Sequence, residues 1–238
     1  MRATGDDVLS EGVLPTSLPD NPITDQAEMA TIDNWLLSRT HSITKKVTES
    51  LDTAELRWGV NDSFFVMQND LRWYFQRGGE NQTLVEDFVK RQLTMLSPYI
   101  PQTVEELSKS YFPDDNLTGS GSWPAYDQSL IAENEETLEQ MLFDTRRTLN
   151  GALHKKGKNL VGQYEGVVIY VLKEEERSRI VDGVGAIKET TGVDWVDVKL
   201  SSEVRETDFT NPGLFMKYSR VDSYSPKFQL VRRQEQVS

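Results

Sequence analysis

The chain has 238 residues, 26 basic and 38 acidic side chains, no cysteine and two histidines. That length gives one large or two small domains with a hydrophobic core of their own. The missing cysteines exclude thiolate metal sites, cysteine nucleophiles and disulfide frameworks, and a net charge of −12, taken alone, argues against a polyanion-coating protein.

The acidity is local. Residues 1–30 carry six acids and one base, and residues 113–150 eight acids and two bases, whereas residues 151–238 carry thirteen acids against fourteen bases. The first thirty residues lack the apolar run of a signal peptide, and no stretch approaches the 18 apolar residues of a membrane span. A cytoplasmic protein is expected.

In chain order, residues 1–30 read as an acidic, disordered lead-in with Pro15, Pro19 and Pro22 closely spaced. From Thr31, Ile32, Trp35, Leu36, Ile43, Val47 and Leu51 recur with the period of an amphipathic helix, and Arg39, Lys45, Lys46 and Glu49 form its polar side. Thr53 is a candidate cap for a second helix with the stripe Leu56, Val60, Phe64, Met67, Leu71 and Phe75, ending at Gly78-Gly79. Thr83 and Glu86 make a capping-box pattern for a third helix, which Pro98 breaks, and Pro101 starts a fourth. These helices predict an antiparallel bundle over residues 31–127.

Residues 113–127 read as a loop, and residues 128–150 as a connecting helix with Leu138, Met141, Leu142 and Leu149 inward and an acidic outer face. A small α+β domain over residues 151–238 follows, with strands at Gly166–Leu172, Val193–Val198 and Phe228–Val231. Residues 174–191 predict one helix, weakened by about 1 kcal/mol each at Gly183 and Gly185. The fold class is α+β: an N-terminal helical bundle, then the small mixed domain.

No catalytic signature stands out. His41 and His154 lie in different predicted domains, so neither a histidine metal site nor a Ser-His-acid triad is expected. Gly183-Val184-Gly185 lacks the third glycine of a phosphate loop, and Glu174-Glu175-Glu176 reads as a solvated helix start.

Basic residues interleaved with aromatics point instead to nucleic acid. In Asn69–Arg77, Arg72 and Arg77 offer phosphate contacts beside a partly exposed Trp73; the alternative is packing, with Arg72 paired to a bundle carboxylate. Lys155, Lys156 and Lys158 form a basic turn, either solvated or on phosphate. The stretch Lys217–Arg233 has five bases, Lys217, Arg220, Lys227, Arg232 and Arg233, against Asp222 alone, with Tyr218, Tyr224 and Phe228 between them.

Four strings occur in an order that resembles a known family: Trp35-Leu36-Leu37-Ser38-Arg39, Asn69-Asp70-Leu71-Arg72-Trp73-Tyr74, Leu96-Ser97-Pro98-Tyr99-Ile100-Pro101 and Trp123-Pro124. They are similar to the anticodon-binding helical domain of class Ia aminoacyl-tRNA synthetases, closest to the archaeal-type leucyl enzymes. The later strand Val167–Val171 and Gly192-Val193-Asp194 resemble that enzyme's small C-terminal domain. The family's HIGH and KMSKS nucleotide-binding signatures have no counterpart here, and Gln102 and Thr103 replace residues the family often carries after the second proline.

The resemblance implies a tRNA-binding portion of a leucyl-tRNA synthetase-like protein, with leucine–tRNA ligation as the process and no catalysis by this chain alone. The bundle would pack on the inner corner of the tRNA, and the C-terminal domain would touch the long variable arm. Arg72, Arg77, Lys155, Lys156, Lys158 and the five tail bases would then meet RNA. The implied partners are a leucine-type tRNA and a separate catalytic chain, with neither membrane nor DNA; ATP and Mg would act only where that catalytic part is supplied. The rival reading is a stand-alone, non-catalytic paralogue serving as a protein-binding or regulatory module, and a third is a non-functional truncation product.

Overall fold

The computed structural model describes residues 29–115, 117–118, 123–154, 160–209 and 211–233. All but the last two residues of the expected lead-in, and Lys155, Lys156 and Lys158, lie outside the described residues. Among the described residues no helix is long and apolar enough to cross a membrane.

Helix α1 (Thr31–Asp52) is the axis of the bundle. Between Trp35 and Thr44 every residue but Arg39 is buried, so the helix is enclosed rather than half-exposed. Its small polar residues make this possible: Thr40 and Thr44 donate their hydroxyls to the carbonyls one turn back, at 2.7 Å each, and need no other partner.

The next rod runs through α2 (Leu56–Val60), a π-helical turn (Asn61–Val66) and α3 (Met67–Gln76). The predicted stripe is displaced here. Leu56 is 54% exposed and Phe75 is exposed too, while Gly59, Ser63 and Met67 form the buried seam. Residues four apart share one side of a helical rod, so these three face inward together. The packing at Gly59 is close: a Cβ there would overlap the Tyr99 hydroxyl, and that ring would have to move.

Helix α4 (Gln82–Leu96) starts two residues earlier than the capping-box pattern suggests. Asn81 is its cap, the Oδ1 accepting from the Leu84 N–H at 3.2 Å, because the Tyr74 hydroxyl accepts the Asn81 N–H and holds that residue in place. Helix α5 (Pro101–Tyr111) begins at the proline as expected, and a separate cluster of Leu93, Leu96, Val104 and Phe112 joins it to α4.

Helix α6 (Glu133–Leu153) packs on α1 through one side and on α7 (Glu174–Asp182) and α8 (Val184–Thr191) through another. One apolar core therefore runs from Ile32 through Leu138 and Leu142 to Ile169 and Val198, taking in all three segments of the predicted division. The acidic side of α6 is not all outward, since Glu139 is fully buried. The predicted helix over 174–191 is two helices. Gly183 ends α7, and Leu142 occupies the space a Cβ would need there.

The sheet has the order β2–β1–β3, with β1 (Tyr164–Val171), β2 (Trp195–Leu200) and β3 (Lys227–Arg232). Strand β1 pairs parallel with β2 and antiparallel with β3. Val167, Ile169 and Val171 enter the common core, and the intervening Val168 and Tyr170 take the opposite face. There Tyr170 stacks on Tyr218 of α9 (Pro212–Tyr218), with ring centroids 4.5 Å apart.

Glu176 corrects the reading of the acidic triplet. Its buried carboxylate accepts from the Leu172 and Lys173 N–H groups through Oε2, and from the Tyr224 N–H and Ser223 hydroxyl through Oε1. One carboxylate thus ties the start of α7 to the turn that delivers β3.

Candidate nucleic-acid interface

The basic and aromatic run Asn69–Arg77 divides into an inner and an outer half. Arg77 corrects the sequence expectation: its side chain is only 5% exposed, and its Nε donates to Glu139 Oε1 at 2.8 Å. Its Nη1 donates to the Asp182 carbonyl at 3.0 Å. Trp73 is likewise buried, not partly exposed, and its Nε1 donates to the same Glu139 oxygen at 2.9 Å. Arg179 completes the cluster, donating to Glu139 Oε2 at 2.8 Å and pairing with Glu135. Burial works against the Arg179 charge, but Glu139 and Glu135 outweigh it and hold the guanidinium above its ordinary pKa. Arg77 is therefore taken up inside the protein and is withdrawn as a phosphate contact.

Arg72 stays outside. It is exposed and donates to Asn69 Oδ1 at 3.0 Å, and among the described residues no carboxylate pairs with it. The nearby Asp70 is taken by Arg39, which bridges it at 2.8 Å to Glu136 at 3.0 Å.

A cleft of about 450 Å³ opens beside Arg72, between α3 and α6. Asn69, Arg72 and Gln76 line it from α3, and Gln140, Phe143 and Arg146 from α6. The Arg146 guanidinium lies 4.3 Å from the Trp73 ring centroid and donates to Gln76 Oε1 at 2.7 Å. Burial lowers its pKa from the ordinary value. Arg39, Asp70 and Glu139 line it as well, but both carboxylates are taken by arginines, which leaves Arg72, Arg146 and three amides for phosphate and base edges. Sequence reasoning passed over Arg146, because its meeting with Trp73 spans two helices and no local spacing announces it.

A larger hollow of about 690 Å³ between α1, α6 and α7 carries Glu135, Glu175 and Asp182, and Arg179 there is already held by Glu135. Its sign repels a polyanion. Among the described residues no cluster of three or more histidine and acidic side chains could hold a metal ion.

The tail bases fall into two kinds. Lys227 Nζ is spent on the carbonyls of Lys217, at 3.2 Å, and Arg220. Lys217 Nζ lies 4.8 Å from the Tyr218 ring centroid. Arg233 pairs with Asp194 at 2.7 Å on the surface. Arg220 and Arg232 are exposed, and among the described residues neither guanidinium has an ion-pair partner. The Arg72 cleft lies between α3 and α6, whereas the tail bases lie on and beside the sheet, so the two are separate patches rather than one site.

Residues 33–165 match the family model described as the anticodon-binding domain of tRNA ligase, which is more than half of the chain. The chain belongs to this anticodon-binding domain family. Over 124 residues it is 36% identical to a leucine–tRNA ligase of Archaeoglobus fulgidus, covering 52% of this chain and 13% of that protein. Over 156 residues it is 31% identical to a leucine–tRNA ligase of Methanococcus aeolicus, covering 63% of this chain and 16% of that protein. A leucine–tRNA ligase of Aeropyrum pernix is 28% identical over 164 residues, or 66% of this chain and 16% of its own length. The chain thus spans about a sixth or less of the relatives it matches. The matched residues of this anticodon-binding domain include both walls of the Arg72–Arg146 cleft.

Proposed function

We propose that this chain binds tRNA, with leucine-type tRNA as its target, and that leucine–tRNA ligation is carried out by a catalytic part outside these residues. The observation that carries this reading is the anticodon-binding domain spanning residues 33–165, with the exposed Arg72 and the ring-stacked Arg146 on one cleft of that domain. Structured RNA is held mainly through its backbone and shape, and two separated cationic patches on an otherwise acidic protein provide for that. The cytoplasm is the compartment this role requires, and ATP and Mg belong to the catalytic part.

The second reading, a module that holds a protein partner, draws on the apolar surface exposed by the displaced helical stripe, where Leu56, Trp58 and Phe65 face outward. A gel-shift titration against tRNA over a salt series separates the two. Binding that weakens steeply with salt and prefers a long variable arm supports the tRNA reading. Absence of binding at low salt removes that reading and leaves the protein-binding one.

A further inference from the structure

The sheet ends at β2 on one side, and among the described residues no strand lies beyond it. Such an edge presents a row of N–H and C=O groups that a further strand can take up. Partners in the β1–β2 ladder share a face. Val196, Val198 and Leu200 therefore lie with Val167, Ile169 and Val171 on the core face, and Asp197 and Lys199 lie with Val168 and Tyr170 on the outer one.

Both faces are incomplete at this edge. Val196 and Leu200 pack against the common core but stay partly exposed. On the outer face, Asp197 and Lys199 lie 3.6 Å apart with side chains 51% and 46% exposed, a surface pair that contributes little by itself.

Strand β2 complements itself. Successive residues of a strand turn N–H and C=O to opposite sides, so two identical edges running antiparallel bring outward-turned residues only against outward-turned ones. Paired residue numbers then add to an even total. A two-fold axis at Val198 sets Asp197 opposite Lys199 of the second copy, and Lys199 opposite its Asp197. The same register sets Val196 against Leu200 on the core face, which carries the apolar layer across the axis. An axis at Asp197 opposes two aspartates, and one at Lys199 opposes two lysines; like charges on directly facing positions are destabilising. Axes farther along leave much of the strand unpaired.

We propose that the β2 edge is a self-association surface, on which a second copy of this chain pairs antiparallel through Trp195–Leu200 about an axis at Val198. The two three-stranded sheets then become one. The contact is isologous and closes at two copies. Charged residues on an edge usually keep sheets apart, but opposite signs two positions apart make one register attractive. The inference stands independently of the tRNA-binding reading.

Sedimentation velocity of the full chain over a concentration series is expected to show a monomer–dimer equilibrium. Asp197→Lys and Lys199→Asp each place like charges at both facing positions, and each should weaken dimerisation by about tenfold or more with an unchanged far-UV circular dichroism spectrum. Asp197→Lys also lowers the net charge of −12, so simple repulsion between acidic chains predicts the opposite, stronger association. Mixing the two single variants sets a chain with two lysines against a chain with two aspartates, and a heterodimer should form although neither variant pairs with itself. The double exchange Asp197→Lys with Lys199→Asp should restore the homodimer.

A wild-type chain that stays monomeric up to about 1 mM overturns the proposal. A dimer that both single variants retain also overturns it, because another surface then holds the two copies. Single variants that remain monomeric when mixed overturn the register, and the edge assignment with it.

Discussion

Arg77 Nε lies 2.8 Å from Glu139 Oε1, and the glutamate side chain is fully buried. Trp73 and Arg179 donate to the same carboxylate, so α3, α6 and α7 meet on one charge. Removing that charge leaves two nearly buried guanidinium groups each short of a partner, Arg179 with Glu135 alone and Arg77 with Asp182 alone. Glu139→Ala is expected to lower stability by about 3–5 kcal/mol, and Glu139→Gln by less, because the amide oxygen still accepts one bond. Urea unfolding followed by circular dichroism measures both.

His41 sets a pH dependence. Its Nδ1 accepts the Asp127 N–H at 3.0 Å, which the neutral ring alone can do. Burial, followed by the Arg91 charge, holds its pKa below the ordinary 6.5. On acidification the unfolded chain takes up this proton first, near pH 6.5, while the folded chain resists it. The contribution is thus complete above 6.5 and is lost as the pH falls toward the lower folded value. Thermal unfolding from about pH 7 to about pH 5.5 should show a steeper loss for the wild type than for His41→Gln.

The cleft between α3 and α6 predicts a salt signature. Arg72→Ala and Arg146→Ala should each weaken tRNA binding and reduce the slope of log K against log salt by about 0.9. Lys109→Ala should leave the slope unchanged, since Lys109 is paired with Glu105 on the exposed side of α5. Gel-shift titrations at several salt concentrations decide the matter.

Two tail cations should behave differently despite standing five residues apart. Arg232→Ala should weaken tRNA binding with no change in thermal midpoint, because its guanidinium has no ion-pair partner among the described residues. Lys227→Ala should lower the midpoint instead, since its ammonium holds the Lys217 and Arg220 carbonyls and closes the turn before β3. Differential scanning fluorimetry beside a binding titration separates these effects.

Helix and strand placement was legible where the signal is local. Pro101 starts α5, Gly78 follows the end of α3, and the β-branched run from residue 166 falls in β1 up to Val171. Local signals failed where a remote neighbour set the geometry. Gly59, not Leu56, faces inward because the rod lies close against Ser50 of α1 and Tyr99 there, and α4 is capped by Asn81 because Tyr74 holds it.

Apolar periodicity and helix-breaking residues were enough to place a helical bundle before a small α+β part, because they act within a few positions of themselves, and the order of four short strings carried the resemblance to the anticodon-binding domain. Which cations are free to meet RNA was decided only in three dimensions. Arg72 and Arg77 sit in the same run, yet one is open and the other is held by a glutamate 62 residues further along. A charge is withdrawn from solvent by whatever partner the fold brings to it, and that partner is not local in the chain.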